Sequence, residues 1–165
     1  MKIERLKVTN EFEEVRALTP NEGLARCILI EWTFNGVIHK FDAEKSNNQL
    51  FIPILSRSQE EIIFFLKNYP EYPSPCNLII MNGDATVRFH ICPPDLISEQ
   101  FKKYEDRVGK AEASKSIRLI QPDLYESTSS NILVIWIGFN YDWYEVRELD
   151  VKTGQFGKCL RAARL

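Results

Sequence analysis

The chain has 165 residues, of which 44% are hydrophobic, 12% aromatic and 27% charged. A chain of this length and composition buries enough apolar surface to fold without cross-links, which excludes intrinsic disorder. The 21 basic and 23 acidic residues give a net charge of −2, so no overall positive field favours nucleic acid or anionic lipid. We therefore expect a folded protein that binds neither nucleic acid nor a membrane.

Cellular location and cysteine chemistry follow from the spacing of apolar and sulfur-bearing residues. The N-terminal sequence MKIERLKVTNEFEE lacks the apolar segment of a secretory signal, and no run approaches the roughly 18 apolar residues of a membrane span. Cysteines occur without a C-x-x-C spacing, at Cys27, Cys76, Cys92 and Cys159. This pattern is typical of reduced, packed thiols. We expect a cytoplasmic protein without a metal or a cofactor.

The first predicted elements are a helix and a hairpin. Asn10 carries a helix-capping signal that predicts a short helix over TNEFEEVRAL, residues 9–18. Asn35-Gly36 lies between two apolar runs and predicts a hairpin, because both turn residues must adopt positive φ. A two-residue loop there places Glu31 opposite Lys40. This opposite-charge pair supports the register.

A strand and a second helix are expected next. The segment QLFIPILS, residues 49–56, predicts a strand in which Pro53 belongs at an edge or a bulge, because proline has no N–H. The S-x-x-E spacing from Ser58 to Glu61 then predicts the start of a helix through EEIIFFLKN. The proline-rich sequence YPEYPSP ends this helix.

The second predicted hairpin carries the one concentration of potentially catalytic side chains. A two-residue turn at Asn82-Gly83 places Arg88, His90 and Cys92 on one strand face. The same register puts Cys76 on the opposite face from Cys92, so a disulfide between them is not expected.

Two interpretations of this face remain open. In the catalytic one, His90 activates Cys92 as a nucleophile and Arg88 supports an anionic substrate or the thiolate. A metal site would need more ligands than H-x-C supplies. In the structural one, the face is an ordinary polar strand surface that ends before a helix. The sequence favours the structural interpretation, because a motif without supporting context is weak evidence.

A third helix and a connector follow. Asp95 is expected to cap a helix that runs to about Val108 and ends at Gly109. Residues 109–130 are poorer in large apolar side chains and predict an exposed connector with a short strand at SIRLI. The basic tail, residues 158–165, is expected to be frayed and solvated.

The last predicted hairpin, NILVIWIGF and DWYEVRELD, concentrates aromatic side chains around its turn at Asn140-Tyr141. Aromatic side chains give a large contact area with few rotatable bonds, as binding surfaces require. The alternative, which the sequence favours, is that they close the core at the end of a buried strand. The candidate binding residues are Trp136, Phe139, Tyr141, Trp143 and Tyr144.

Hairpins interspersed with single helices predict an α+β fold: one domain over residues 1–165, with a largely antiparallel sheet and two or three helices packed on one face. No G-x-S-x-G, H-E-x-x-H or Walker pattern occurs in the sequence. The leading hypothesis is a non-catalytic cytosolic module that binds a protein partner or a second copy, of immunity, secretion-chaperone or regulatory type. The alternative is a small enzyme or small-ligand binder that uses the Arg88, His90 and Cys92 face.

Overall fold

The structure is a computed structural model that describes residues 1–20, 26–43, 49–123 and 132–165. Strands account for 55% of the fold and helices for 11%, and both sheets are antiparallel. The prediction of an α+β fold with two or three helices packed on a sheet is therefore wrong. Over the residues that the structure describes, the protein is mostly β, with two short helices.

The chain divides into two compact units. Unit 1 contains Met1–Pro73 and Asn77–Ile91, and unit 2 contains Ser74–Cys76 and Cys92–Leu165. The folding of both units as one domain stays a prediction. No helix within the described residues is long and apolar enough to cross a membrane.

Unit 1 is an eight-stranded antiparallel sheet in the order β2-β1-β3-β5-β6-β7-β8, with β4 paired to β3. Large apolar side chains from several of its strands form the core, among them Trp32, Phe51 and Phe64. The strands are β1 (Glu4–Asn10), β2 (Val15–Ala17), β3 (Cys27–Phe34), β4 (Val37–Asp42), β5 (Leu50–Leu55), β6 (Glu61–Lys67), β7 (Leu78–Asn82) and β8 (Val87–Ile91).

The β3–β4 hairpin has the predicted register. Asn35 and Gly36 adopt φ of 52° and 76°, which is the left-handed conformation that their two-residue turn requires. Glu31 lies opposite Lys40, and their charged groups are 2.9 Å apart. The prediction of this hairpin is confirmed.

Both helices predicted in unit 1 are wrong, because the capping residues stabilise turns between strands. The Asn10 carboxamide oxygen accepts the N–H groups of Phe12 and Glu14, and this turn leads into β2. Similarly, the Ser58 hydroxyl donates to the Glu61 carboxylate at 3.0 Å in the turn between β5 and β6. The β-branched and aromatic run that follows forms β6, as its residue types favour.

The strand predicted around Pro53 is confirmed as β5. Pro53 lies opposite Phe64 of β6. On its other side, the described pairing with β3 is confined to Cys27 and Phe51. The expectation that Pro53 lies at an edge or a bulge is wrong, because β5 lies between β3 and β6 and its register with β6 is unbroken. The proline is tolerated because the described pairing with β3 does not include it.

The β7–β8 hairpin differs in register from the prediction. Its turn runs from Asn82 to Thr86, and Ala85 adopts a left-handed φ of 67°. The longer turn places Ile80 opposite Phe89, not opposite Ala85. The pairing is thereby shifted along the strand.

This shift changes the chemistry of two cysteines. Extending the observed pairing beyond the strand ends brings Cys76 close to Cys92, and the two form a disulfide. The prediction that this bridge would not form is wrong, because it assumed the two-residue turn. The expectation of reduced thiols applies to Cys27 and Cys159, which form no disulfide.

Unit 2 combines two helices with a four-stranded meander in the order β12-β11-β10-β9. Its elements are α1 (Glu99–Val108), α2 (Lys110–Lys115), β9 (Arg118–Asp123), β10 (Ile132–Phe139), β11 (Trp143–Asp150) and β12 (Gln155–Arg164). The last predicted hairpin is confirmed as β10–β11, and the short strand at SIRLI as β9.

In unit 2 the ends of α1, the connector after it and the C-terminal tail were all predicted from the sequence, and each prediction is wrong at least in part. Ser98, not Asp95, caps α1, whereas Gly109 ends the helix as predicted and donates its N–H to the Glu105 carbonyl. The predicted connector contains α2 and β9, and its part over residues 124–130 lies outside the described residues. The tail is not frayed, because it forms β12 and pairs with β11.

Candidate binding surface

The five aromatic residues around the β10–β11 turn divide into two groups. Phe139 is 1% exposed and packs edge-on against Phe101, with ring centres 5.3 Å apart. Tyr144 is buried and stacks on the half-buried Trp136 at 4.4 Å. These three side chains contribute to the interior of unit 2. The other two, Tyr141 and Trp143, remain accessible, and Tyr141 is 80% exposed.

Trp143 lines an open cleft of about 390 Å³ between α1 and the β10–β11 turn. From the strand side, Phe139 and Asn140 complete the lining. From the helix side come four residues at positions i, i+3, i+4 and i+7, which share one helix face: Gln100, Lys103, Tyr104 and Arg107. The volume of the cleft lies within the range of ligand and peptide pockets.

Hydrogen bonds on both sides hold the turn beside this cleft. Asn140 and Tyr141 both adopt positive φ, and the Asn140 N–H donates to the Ser116 hydroxyl at 3.2 Å. Arg118 donates to the Tyr141 carbonyl at 3.2 Å, and Arg164 pairs with Asp142 at 3.1 Å. The backbone that presents Tyr141 is therefore held by neighbours, although its side chain is exposed.

A buried carboxylate holds the start of α1 against β11. Glu145 is fully buried, and one of its carboxylate oxygens accepts the N–H groups of Ile97 and Ser98 at 2.9 and 2.6 Å. The other lies 3.4 Å from Arg147, whose guanidinium also donates to the Gly157 carbonyl at 2.7 Å. A buried carboxylate with these partners is satisfied, and we interpret the network as structural.

Sequence reasoning missed this network, although a signal existed. Glu145 and Arg147 alternate with apolar residues on a strand next to the mostly buried β10. A charged pair on a covered face predicts a buried salt bridge, because neither charge is stable there alone. The partners on α1 could not be read from the sequence, since they depend on tertiary packing.

The cleft has a positive character. Lys103 and Arg107 contribute two cations to its lining, and no carboxylate among the described residues lines it. The Arg107 guanidinium lies 5.6 Å from the centre of the Tyr104 ring, which is within cation–π distance. This arrangement can attract an acidic group and offer it aromatic contact area.

The three candidate catalytic residues each have a different partner. Cys92 is bonded to Cys76, so it holds no thiol while the bridge is intact. Arg88 lies 3.3 Å from the buried carboxylate of Glu61. His90 packs edge-on against Tyr72, with ring centres 5.1 Å apart. These contacts provide no nucleophile for the catalytic interpretation.

The two thiols outside the disulfide, Cys27 and Cys159, are not activated either. Burial raises the pKa of Cys27 to about 11, and burial is also the main cause that raises the pKa of Cys159. Both groups are therefore protonated at neutral pH, whereas a nucleophilic cysteine needs a lowered pKa. Among the described residues, no cluster of three or more His, Cys, Asp or Glu side chains could hold a metal ion.

The fold and the cleft together describe a mostly β protein of two units, with an aromatic and cationic cleft in unit 2. Neither a protein-family model nor a curated protein matches the sequence. Its fold is similar to a chain of the solved "Structure of Tne2 in complex with Tni2", with a TM-score of 0.68 and 13% identity. The match covers 98% of this chain and 99% of that chain. At this identity the similarity establishes the fold alone.

Proposed function

We propose that this chain is a non-catalytic binding module that acts by holding one protein partner, in the manner of an immunity protein. The supporting observation is its similarity, over almost the full length of both chains, to a protein whose structure was solved in complex with a second protein. Among the roles that suit a small binding module, secretion chaperone and regulatory adaptor are the competing ones.

The surface of unit 2 is compatible with this role. Stable protein interfaces are centred on a few Trp, Tyr and Arg side chains that pack into or around a recess. Tyr141, Trp143 and Arg107 supply these residue types at one cleft. Because none of the three belongs to the enclosed core of unit 2, their contact area is available to a partner.

The test is to purify the tagged chain from its native cells and to measure the mass of the complex by light scattering. We expect one co-purifying protein in a fixed ratio. Producing that protein alone should arrest growth, and co-production of this chain should restore it, if the role is immunity. A strict monomer with no partner would contradict the proposal. A partner that is harmless, or is released for secretion, would favour the competing roles.

The enzymatic alternative has no observation in its favour. It requires Cys92 as a thiolate, and Cys92 is bonded to Cys76.

A further inference from the structure

The unit 2 cleft has a charge pattern that specifies the chemistry of its occupant. Its two cations, Lys103 and Arg107, project from the same face of α1, one helical turn apart. No carboxylate is among the described residues that line the cleft, and the Glu99 carboxylate that pairs with Lys103 lies outside this lining.

Both cations are available for a new partner. Lys103 lies 3.0 Å from Glu99, but both side chains are about three-quarters exposed, and such surface pairs are weak and exchange readily. Arg107 is held over the Tyr104 ring, which orients the guanidinium before any ligand arrives. Its forked donors match a carboxylate in two parallel hydrogen bonds.

The remaining lining suits a polypeptide. Phe139 gives an apolar base, and Trp143 gives a wall of large contact area. The amide groups of Gln100 and Asn140 can donate and accept hydrogen bonds, as an extended peptide backbone requires. A cleft of about 390 Å³ accommodates a few side chains, not a folded domain.

We propose that this cleft binds a short acidic segment of the partner protein, with its carboxylates on Lys103 and Arg107 and its neighbouring side chain against Trp143. This inference rests on the proposed function and names the chemistry by which the partner is recognised. Single-stranded nucleic acid also combines negative charge with stacking surfaces. The acidic peptide is favoured because the cleft offers two cations in a protein of net charge −2, not an extended basic groove.

The experiment follows the indole N–H signals of the ¹⁵N-labelled full chain by NMR. Trp143 is the reporter and Trp32 the internal reference, because the Trp32 indole N–H is buried in unit 1 and bonded to the Gly83 carbonyl. The probe is acetyl-Asp-Glu-Leu-Glu-Asp-amide, and its matched control is acetyl-Asn-Gln-Leu-Gln-Asn-amide. We expect a saturable shift of the Trp143 signal with the acidic peptide and no shift of Trp32.

Charge variants on α1 give the specificity control. Reversing both cations, Lys103→Glu with Arg107→Glu, should weaken peptide binding at least about tenfold. Lys102→Glu makes the same kind of change on an exposed residue of α1 outside the cleft lining, and should alter binding less than about twofold. The Trp136 signal, whose ring stacks on Tyr144, verifies that unit 2 of each variant is folded, and the Trp32 signal verifies unit 1.

Four results would overturn the inference: no Trp143 shift up to about 5 mM peptide, equal binding of the amide control, equal weakening by Lys102→Glu, or tighter binding of decathymidylate. Partner binding by the charge-reversed protein distinguishes a wrong cleft assignment from a wrong proposed function. If the charge-reversed protein still binds its partner as the unchanged protein does, the cleft assignment is wrong and the binding function stands. If no partner is bound by either protein, the proposed function itself is wrong.

Discussion

The tips of two hairpins in this protein share a Phe-Asn pair and a nearby tryptophan, but the two tryptophans lie in different environments. At the β3–β4 tip of unit 1, Trp32 is 1% exposed and its indole N–H donates to the Gly83 carbonyl at 2.6 Å. At the β10–β11 tip of unit 2, Trp143 borders an open cleft and Tyr141 extends into solvent. Both tips turn through residues of positive φ. Aromatic residues near a turn therefore do not show whether the turn belongs to the core or to a recognition surface. That depends on which neighbouring element covers the turn.

The element that covers the first tip is the β7–β8 turn. Gly83 has no side chain, and an added Cβ there would overlap the Phe34 ring of the β3–β4 tip. In unit 2, by contrast, α1 contacts Phe139 through Phe101 and leaves Trp143 beside the cleft. We therefore expect the β3–β4 tip to control stability and the β10–β11 tip to control binding.

Removing the indole from each tip gives the largest expected difference in the free energy of unfolding. Trp32→Ala should lower the free energy of unfolding by about 3–5 kcal/mol, because it empties a fully buried volume and removes a donor from the Gly83 carbonyl. Trp143→Ala should cost about 1 kcal/mol, as is typical of a half-buried site. Urea unfolding of both variants measures the two values. Equal costs would contradict the contrast.

The disulfide should contribute next most to stability. It closes the chain segment 77–91, which contains β7, β8 and the turn that bonds Trp32. Cys76→Ser with Cys92→Ser should lower the free energy of unfolding by about 3 kcal/mol through the restored entropy of the unfolded chain. Cys159→Ser serves as the control and should change it by about 0.5 kcal/mol or less. If reduction and the double substitution leave stability unchanged, the bridge does not form in solution.

A smaller effect is expected at the contact between the two turns of unit 1. Gly83→Ala should cost about 1–3 kcal/mol, because the Phe34 ring must move. Gly36→Ala has no atom within 4 Å of the added Cβ, but its φ of 76° disfavours any side chain, so about 1 kcal/mol is expected. Thermal unfolding ranks the pair, and a harmless Gly83→Ala would show that the two turns are not in contact.

The smallest effect on stability is expected at the exposed tip. Tyr141→Ser should change the free energy of unfolding by less than about 0.5 kcal/mol, because the side chain is mostly in solvent. The same substitution should weaken partner binding measurably, as loss of an accessible aromatic does at an interface. Calorimetry of unfolding and of binding, on one preparation, separates the two effects.

The elements that local chemistry determines were predictable from the sequence. Asn35-Gly36 specifies the β3–β4 register because few other dipeptides tolerate its backbone. The S-x-x-E spacing at Ser58 led to the wrong prediction of a helix. A hydroxyl and a carboxylate three residues apart stabilise a strand-to-strand turn as well as a helix start. A register shift caused by the longer turn before Thr86 likewise changed which cysteines meet.

The candidate site was predictable only in part. The aromatic group around the β10–β11 turn was identified from the sequence, but its division into core and accessible members depends on which residues α1 covers. Lys103 and Arg107 carried no signal in the sequence, because a cation on an amphipathic helix is usually a solvated charge. Their importance appears once the helix face is placed beside Trp143.

The most direct test of the central claim compares the two tips in the cell. A photoreactive benzophenone amino acid replaces either Tyr141 of the β10–β11 hairpin or Ile38 of the β3–β4 hairpin, which are 80% and 69% exposed. The chain is then irradiated in its native host. We predict one crosslinked protein from position 141, lost when Lys103 and Arg107 are reversed to Glu, and none from position 38. A specific crosslink from position 38 but not from 141 would contradict the account.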